Sequence, residues 1–145
     1  MYTIDVSNRQ SLIDISDADI SSIVSDVLKC EEVQSAEVVV ALVDDATIHE
    51  VNREHLQHDY PTDVISFLYD AEEPVLDGEL VVSTETAVRA AQSYGWSPVD
   101  ELRLYIAHGL LHLCGYDDLS DDEQAIMRDR ERAVLKIWSL VPHYD

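Results

Sequence analysis

Two histidines four residues apart, His108 and His112, stand in the run His108-Gly109-Leu110-Leu111-His112-Leu113-Cys114-Gly115-Tyr116-Asp117-Asp118. On a helix this spacing stacks both imidazoles on one face. Gly115 can stop such a helix, because glycine adopts positive φ at little cost. The chain can then turn back and bring a carboxylate to the same point, and Asp118 is the candidate. Two imidazoles and a third ligand, with a fourth position open, is how a catalytic zinc site is built. Imidazoles can be neutral near pH 7, as metal binding requires. Asp117 is assigned to loop solvation or to capping of the last helix, although spacing alone leaves an exchange of roles between Asp117 and Asp118 open.

Zinc peptidases of the His-Glu-x-x-His class place a general base beside the first histidine. That position is Gly109 here, which argues against peptide hydrolysis. Phosphodiester cleavage asks for a nucleophile and for charge neutralisation at phosphate. A metal supplies both, by acidifying a bound water and by binding a phosphate oxygen. No side chain stands out as general base; Asp118, Asp63 and a second water are the candidates.

The elements that must position this site follow from periodicity. Residues 2–8 alternate as a strand with Tyr2, Ile4 and Val6 on one side. Ile20, Ile23, Val24, Val27 and Leu28 give helical spacing over 17–29, with Asp17 as candidate N-cap. Residues 36–43 form a β-branched strand, and Asp44 or Asp45 caps a helix through Leu56. A turn at 58–61, a strand at 64–69, a loop at 72–78 and a strand at 79–83 follow. Helices are predicted at 84–94 and 99–113. A capping box at Ser120–Glu123 opens a last helix that runs to about Leu140. The pattern predicts an α+β (mixed α/β) single domain over 1–145, with a four-stranded mixed sheet packed on about five helices and a zincin-like metal helix. That helix carries two stripes. Val99, Leu102, Ile106, Leu110 and Leu113 face the core, and Glu101, Tyr105, His108 and His112 form the other.

Composition bounds the setting. The hydrophobic fraction of 46% is enough for a core. No run of about 18 apolar residues spans a membrane, and the first residues carry no signal-peptide pattern, so the expected location is the cytoplasm. Cys30 and Cys114 are not closely spaced and read as small buried side chains rather than a disulfide or thiol site. The net charge is −21, with 30 acidic residues and lysine only at positions 29 and 136. Such a surface repels bare nucleic acid, so any action on RNA needs a local patch or a metal.

The metal run resembles the signature of the YbeY family of bacterial endoribonucleases. Asn52, Asp59 and Pro61-Thr62-Asp63-Val64-Ile65-Ser66-Phe67 resemble its second block, and Gly78-Glu79-Leu80 its Gly-Asp-Ile strand start. Glu101, Met127 and Glu131 also fall where the family has them, and the similarity covers about residues 36–140. The resemblance implies a mixed fold with four strands, a zinc-holding helix, and one zinc ion per chain on His108, His112 and Asp118. It also implies a metal-dependent, single-strand-specific endoribonuclease acting in small-subunit (16S) rRNA 3′-end maturation and ribosome quality control. Its partners would be single-stranded RNA, rRNA, and the small ribosomal subunit with its basic proteins.

Two positions depart from the family. Asp118 stands where the family usually has histidine, which adds negative charge and a harder donor. Leu56 replaces an arginine suited to phosphate. Arg53 is a substitute on the same helix or, by slight preference, an exposed cation. His55 and His58 are either cleft residues or loop histidines without a role. Thr62, Asp63 and Ser66 are expected to order the neighbouring loop by hydrogen bonds. Glu131 falls on the apolar stripe of Met127, Val134 and Trp138 and needs a partner, either a metal-binding imidazole or an arginine. Arg128, Arg130 and Arg132 read as a salted helix surface. Two rival functions stand beside the ribonuclease: an assembly factor with a structural zinc that docks on basic ribosomal proteins, and another metallohydrolase, a peptidase included.

Overall fold

The computed structural model describes residues 1–56, 63–70 and 75–142. The elements are β1 (Tyr2–Asn8), α1 (Asp17–Cys30), β2 (Ser35–Val43), α2 (Asp45–Leu56), β3 (Val64–Asp70), β4 (Val75–Ser83), α3 (Thr84–Tyr94), α4 (Pro98–Leu113) and α5 (Asp121–Leu135). The strands form one sheet in the order β1-β2-β4-β3. β1, β2 and β4 run parallel, and β3 is antiparallel to β4. This is the mixed four-stranded α+β arrangement that the periodicity predicts.

Alternation along the strands decides the layers. Val38 and Val40 of β2 and Leu80 and Val82 of β4 enter the main core, where Leu102, Ile106 and Leu110 of α4 meet α1 residues such as Ile20 and Val24. Ile65 and Val81 point to the opposite face and pack against Ile48 of α2. The sheet is therefore covered by α1 and α4 on one side and by α2 on the other. The two faces of each strand need the period of two that these sequences carry.

Helix starts follow side-chain chemistry. The N-cap of α1 is Ser16, not Asp17, because the Ser16 hydroxyl accepts the Asp19 N–H and Asp19 returns the bond. Asp17 becomes the first helical residue, where its charge still favours the positive end of the dipole. Ser97 and Pro98 open α4, and Ser120 with Glu123 forms the expected capping box of α5. Two other boundaries differ from expectation. β4 begins at Val75, because its parallel register with β2 extends through Asp77 and Gly78, residues that read locally as loop. The last helix leaves α geometry after Leu135 for a 3-10 turn over Lys136–Trp138. The turn predicted at 58–61 lies outside the described residues.

Candidate metal centre

α4 presents the site because its other faces are fixed. Leu102, Ile106 and Leu110 are fully buried. Gly109 sits against the sheet, where a Cβ would meet Leu80 Cδ2 at 2.7 Å and Val64 Cγ2 at 3.1 Å. The Ser66 hydroxyl donates to the Gly109 carbonyl at 3.1 Å. Position 109 thus faces β3 and β4, and a glutamate there would run into the sheet before reaching the histidine face. With that side docked, His108 and His112 turn towards a cleft of about 470 Å³, bordered by Asp63, Ser66, Asp117 and Asp118.

The end of α4 brings in the third donor. Gly115 takes φ +104°, its N–H donates to the His112 carbonyl, and the Tyr116 N–H donates to the Leu111 carbonyl. This paired closure is a Schellman motif, and its left-handed residue is glycine because a Cβ would strain there. The reversed chain sets Asp118 Oδ2 at 3.6 Å from His108 Nε2 and 3.5 Å from His112 Nε2, while the two Nε2 atoms lie 3.1 Å apart. Among the described residues, these three offer ligand atoms within reach of one ion. A tetrahedral zinc with nitrogen and oxygen ligands at about 2.0–2.2 Å has donor–donor edges of about 3.3–3.6 Å. The observed triangle is close to one face of that tetrahedron. Asp117 is exposed on the cleft wall, outside the triangle, and Ser120 rather than Asp117 caps α5.

Proton positions strengthen the fit. His108 Nδ1 lies 2.5 Å from Glu131 Oε1, and the Glu131 side chain is 5% exposed. A carboxylate there makes Nδ1 the donor, which leaves the Nε2 lone pair facing His112 Nε2 and Asp118 Oδ2. Electron-rich atoms gathered that closely repel unless a cation or a proton lies between them. Burial by itself would lower the His108 pKa. The hydrogen bond and charge of Glu131, then the charges of Asp63 and Asp118, outweigh burial and raise it above the ordinary imidazole value. Of the two partners open to Glu131 in the sequence, the imidazole is one the structure supplies.

Other candidates sort by position. Glu101 and Tyr105 share the histidine stripe but are buried beneath the cleft, at 0% and 7% exposure. Burial, then the charges of Glu101 and Asp63, raise the Tyr105 phenol far above its ordinary range. Asp63 accepts the Val64 N–H at 2.7 Å and so orders the entry to β3. Arg53 is exposed and 4.0 Å from Glu50, as expected of a helix-surface cation. Burial, aided by the charge of Glu31, pushes the Cys114 thiol up to about 11, so it is not a thiolate near neutrality. The side chains of His55 and Leu56, and all of His58, Asp59, Pro61 and Thr62, lie outside the described residues.

The arginine row is salted, as expected, with Arg132 on Asp129, but Arg130 pairs outside its own helix. Its Nε and terminal nitrogen donate to Glu31 Oε1 at 3.0 and 2.9 Å, and the Glu31 side chain is only 8% exposed. Tyr116 also donates to Glu31 at 3.4 Å. The turn that carries Asp118 is thereby tied to α1 and α5. Nothing local could reveal this, because Arg130 and Glu31 are 99 residues apart.

A family model described as Endoribonuclease YbeY matches residues 5–139. The chain belongs to the endoribonuclease YbeY family. Three bacterial proteins carrying that name illustrate the relationship. The one from Rhodopirellula baltica is 55% identical over 102 residues, 69% of this chain but 53% of that protein. The Protochlamydia amoebophila protein is 39% identical over 131 residues, 88% of this chain and 87% of the other. The Carboxydothermus hydrogenoformans protein is 36% identical over 139 residues, covering 94% and 97%. The family match begins upstream of the region from 36 onward on which the resemblance rested, so it takes in the second half of β1 and all of α1 of this YbeY-family chain. A Thermotoga maritima protein solved in solution shares the fold, with a TM-score of 0.59 and 22% identity over 100% of this chain and 96% of that one. Among the described residues, no helix is long and apolar enough to cross a membrane.

Proposed function

We propose that residues 1–145 act as one domain, a zinc-dependent, single-strand-specific endoribonuclease of the cytoplasm. Its role would be in 16S rRNA 3′-end maturation and ribosome quality control, on the small ribosomal subunit. The observation that carries the proposal is the triangle of His108 Nε2, His112 Nε2 and Asp118 Oδ2, which opens onto the cleft. Three protein donors with a fourth position towards solvent suit catalysis, whereas structural zinc sites are closed by four. A zinc ion held there would supply an acidified water and charge neutralisation at the scissile phosphate.

The chain's own residues do the rest. Glu131 keeps the His108 proton on Nδ1 and fixes the ring. The Schellman turn and the Glu31–Arg130 pair hold Asp118 in place. Gly109 lets α4 approach the sheet closely enough for β3 to wall the cleft. The acidic rim of Asp63, Asp117 and Asp118 disfavours bare phosphate except at the metal, which supports substrate delivery by basic ribosomal proteins. That rim also favours the second reading, an assembly factor whose zinc is structural. A peptidase is disfavoured, since position 109 faces the sheet.

The test pairs zinc quantification with cleavage of a single-stranded RNA oligonucleotide and its duplex. One zinc per chain and cleavage of the single strand alone are expected, and His112→Ala should lose both. Stoichiometric zinc retained in His112→Ala would refute the ligand set. Zinc without cleavage would favour the assembly factor.

A further inference from the structure

β3 is an edge strand, and its outer side borders the cleft. The phase of its ladder with β4 tells which backbone groups turn outward. The Ser83 N–H donates to the Asp63 carbonyl at 2.9 Å. In an antiparallel pair, residues that exchange backbone bonds alternate with residues that do not. Counting along the register from Asp63 and Ser83, Ile65 and Phe67 use their groups on Val81 and Glu79. Val64, Ser66 and Leu68 direct theirs outward. Val64 agrees with this phase, because its N–H goes to Asp63 Oδ1 rather than to β4.

The outer side therefore offers the N–H groups of Ser66 and Leu68 and the carbonyls of Val64 and Ser66, in a repeat of about 7 Å. Among the described residues no strand pairs with them. Protected edges commonly carry lysine, proline or inward charge. Val64-Ile65-Ser66-Phe67-Leu68-Tyr69-Asp70 has neither lysine nor proline, and Leu68 and Tyr69 are 49% and 63% exposed. Among the described residues, an apolar strand whose outward main-chain groups meet no strand thus lies beside Asp63, Asp117 and Asp118, in a chain of net charge −21.

We propose that this edge takes an extended, lysine- or arginine-rich segment of a protein partner as a fifth strand. Main-chain bonds to Ser66 and Leu68 would hold it, and its basic side chains would meet the acidic rim. A second copy of this chain would bring like charge to the acidic rim, which opposes its docking there. An RNA strand lacks the repeating amide pattern and brings phosphates to carboxylates. The inference goes beyond the cleavage reading and stands without it, since it uses only the main chain of β3 and the rim charge.

The probes are two labelled peptides of equal charge, one alternating lysine and valine, the other alternating lysine and proline. Binding to the full chain is read by anisotropy at about 0.1 M salt. The lysine–valine peptide should bind at least about tenfold more tightly. It should also slow amide exchange at Ser66 and Leu68 but not at Ile65 and Phe67. Leu68→Pro removes an N–H that the β4 ladder does not use, so the sheet should persist and the two peptides should bind alike. Equal binding of both peptides to the native chain would overturn the proposal. So would a single-stranded RNA oligonucleotide that displaces the peptide and itself protects the Ser66 and Leu68 amides. The exchange pattern in the native chain decides the matter even if Leu68→Pro fails to fold.

Discussion

Glu131→Gln keeps the shape of the contact at His108 Nδ1 and removes its charge. The carboxylate lies 2.5 Å from the ring nitrogen and is 5% exposed, so solvent does little to screen it. A glutamine oxygen still accepts the Nδ1 proton, so the tautomer survives. The loss is the difference between a charge-assisted and a neutral hydrogen bond, about 1–2 kcal/mol. At about 1.4 kcal/mol per decade this corresponds to a five- to thirtyfold loss of zinc affinity, roughly within the range for outer-shell partners of metal ligands. The pH dependence should move the other way. A zinc ion at the proposed site would need a neutral His108, and Glu131 raises the pKa of that ring. Native affinity should therefore fall early on acidification, whereas the variant, though weaker at about pH 8, should lose proportionally less by about pH 6. For the metal-free protein the sign is fixed by linkage. A raised folded pKa contributes stability that is fully present below the unfolded value and is lost as pH rises through the folded value. The native advantage over the variant should thus be largest below the ordinary imidazole pKa and shrink as pH rises through the raised folded one. Chelator competition across that range and urea unfolding of the metal-free proteins would measure both. Equal zinc affinity in the two proteins, or a steeper acid loss in the variant, would refute the reasoning.

Three further perturbations follow from the same contacts. Gly109→Ala gains about 1 kcal/mol of helix propensity but drives a methyl into the fully buried Leu80, so a net loss of about 1–2 kcal/mol should appear in urea unfolding, and a stabilised protein would contradict the packing. Arg130→Met strands the nearly buried Glu31; because Arg130 is about a third exposed, the cost is discounted to about 1–3 kcal/mol, and calorimetry should show a fall of several degrees in Tm at unchanged zinc stoichiometry. Asp118→His removes one negative charge from the donor set, so the acid limb of the activity profile should move to lower pH, and superimposable profiles would count against Asp118 as a ligand.

Local chemistry carried much of this protein into plain view. The stacked His108 and His112, the stop at Gly115, the capping box at Ser120 and the alternation of β2 each depend on neighbours within a few residues, which is the range over which sequence spacing and geometry coincide. The order β1-β2-β4-β3, the start of β4 at Val75, the burial of Glu101 and the pairing of Arg130 with Glu31 depend on segments distant in sequence, and no local pattern encodes them. The same limit explains Asp117 and Asp118. Both are aspartates on one turn, and only the path of the chain after Gly115, held by α1 and α5, sets one beside the imidazoles and leaves the other on the wall. Gly109 shows both levels at once: the sequence reveals that a peptidase's base is missing, and the packed sheet supplies a reason, because a side chain there would press on Leu80 and Val64.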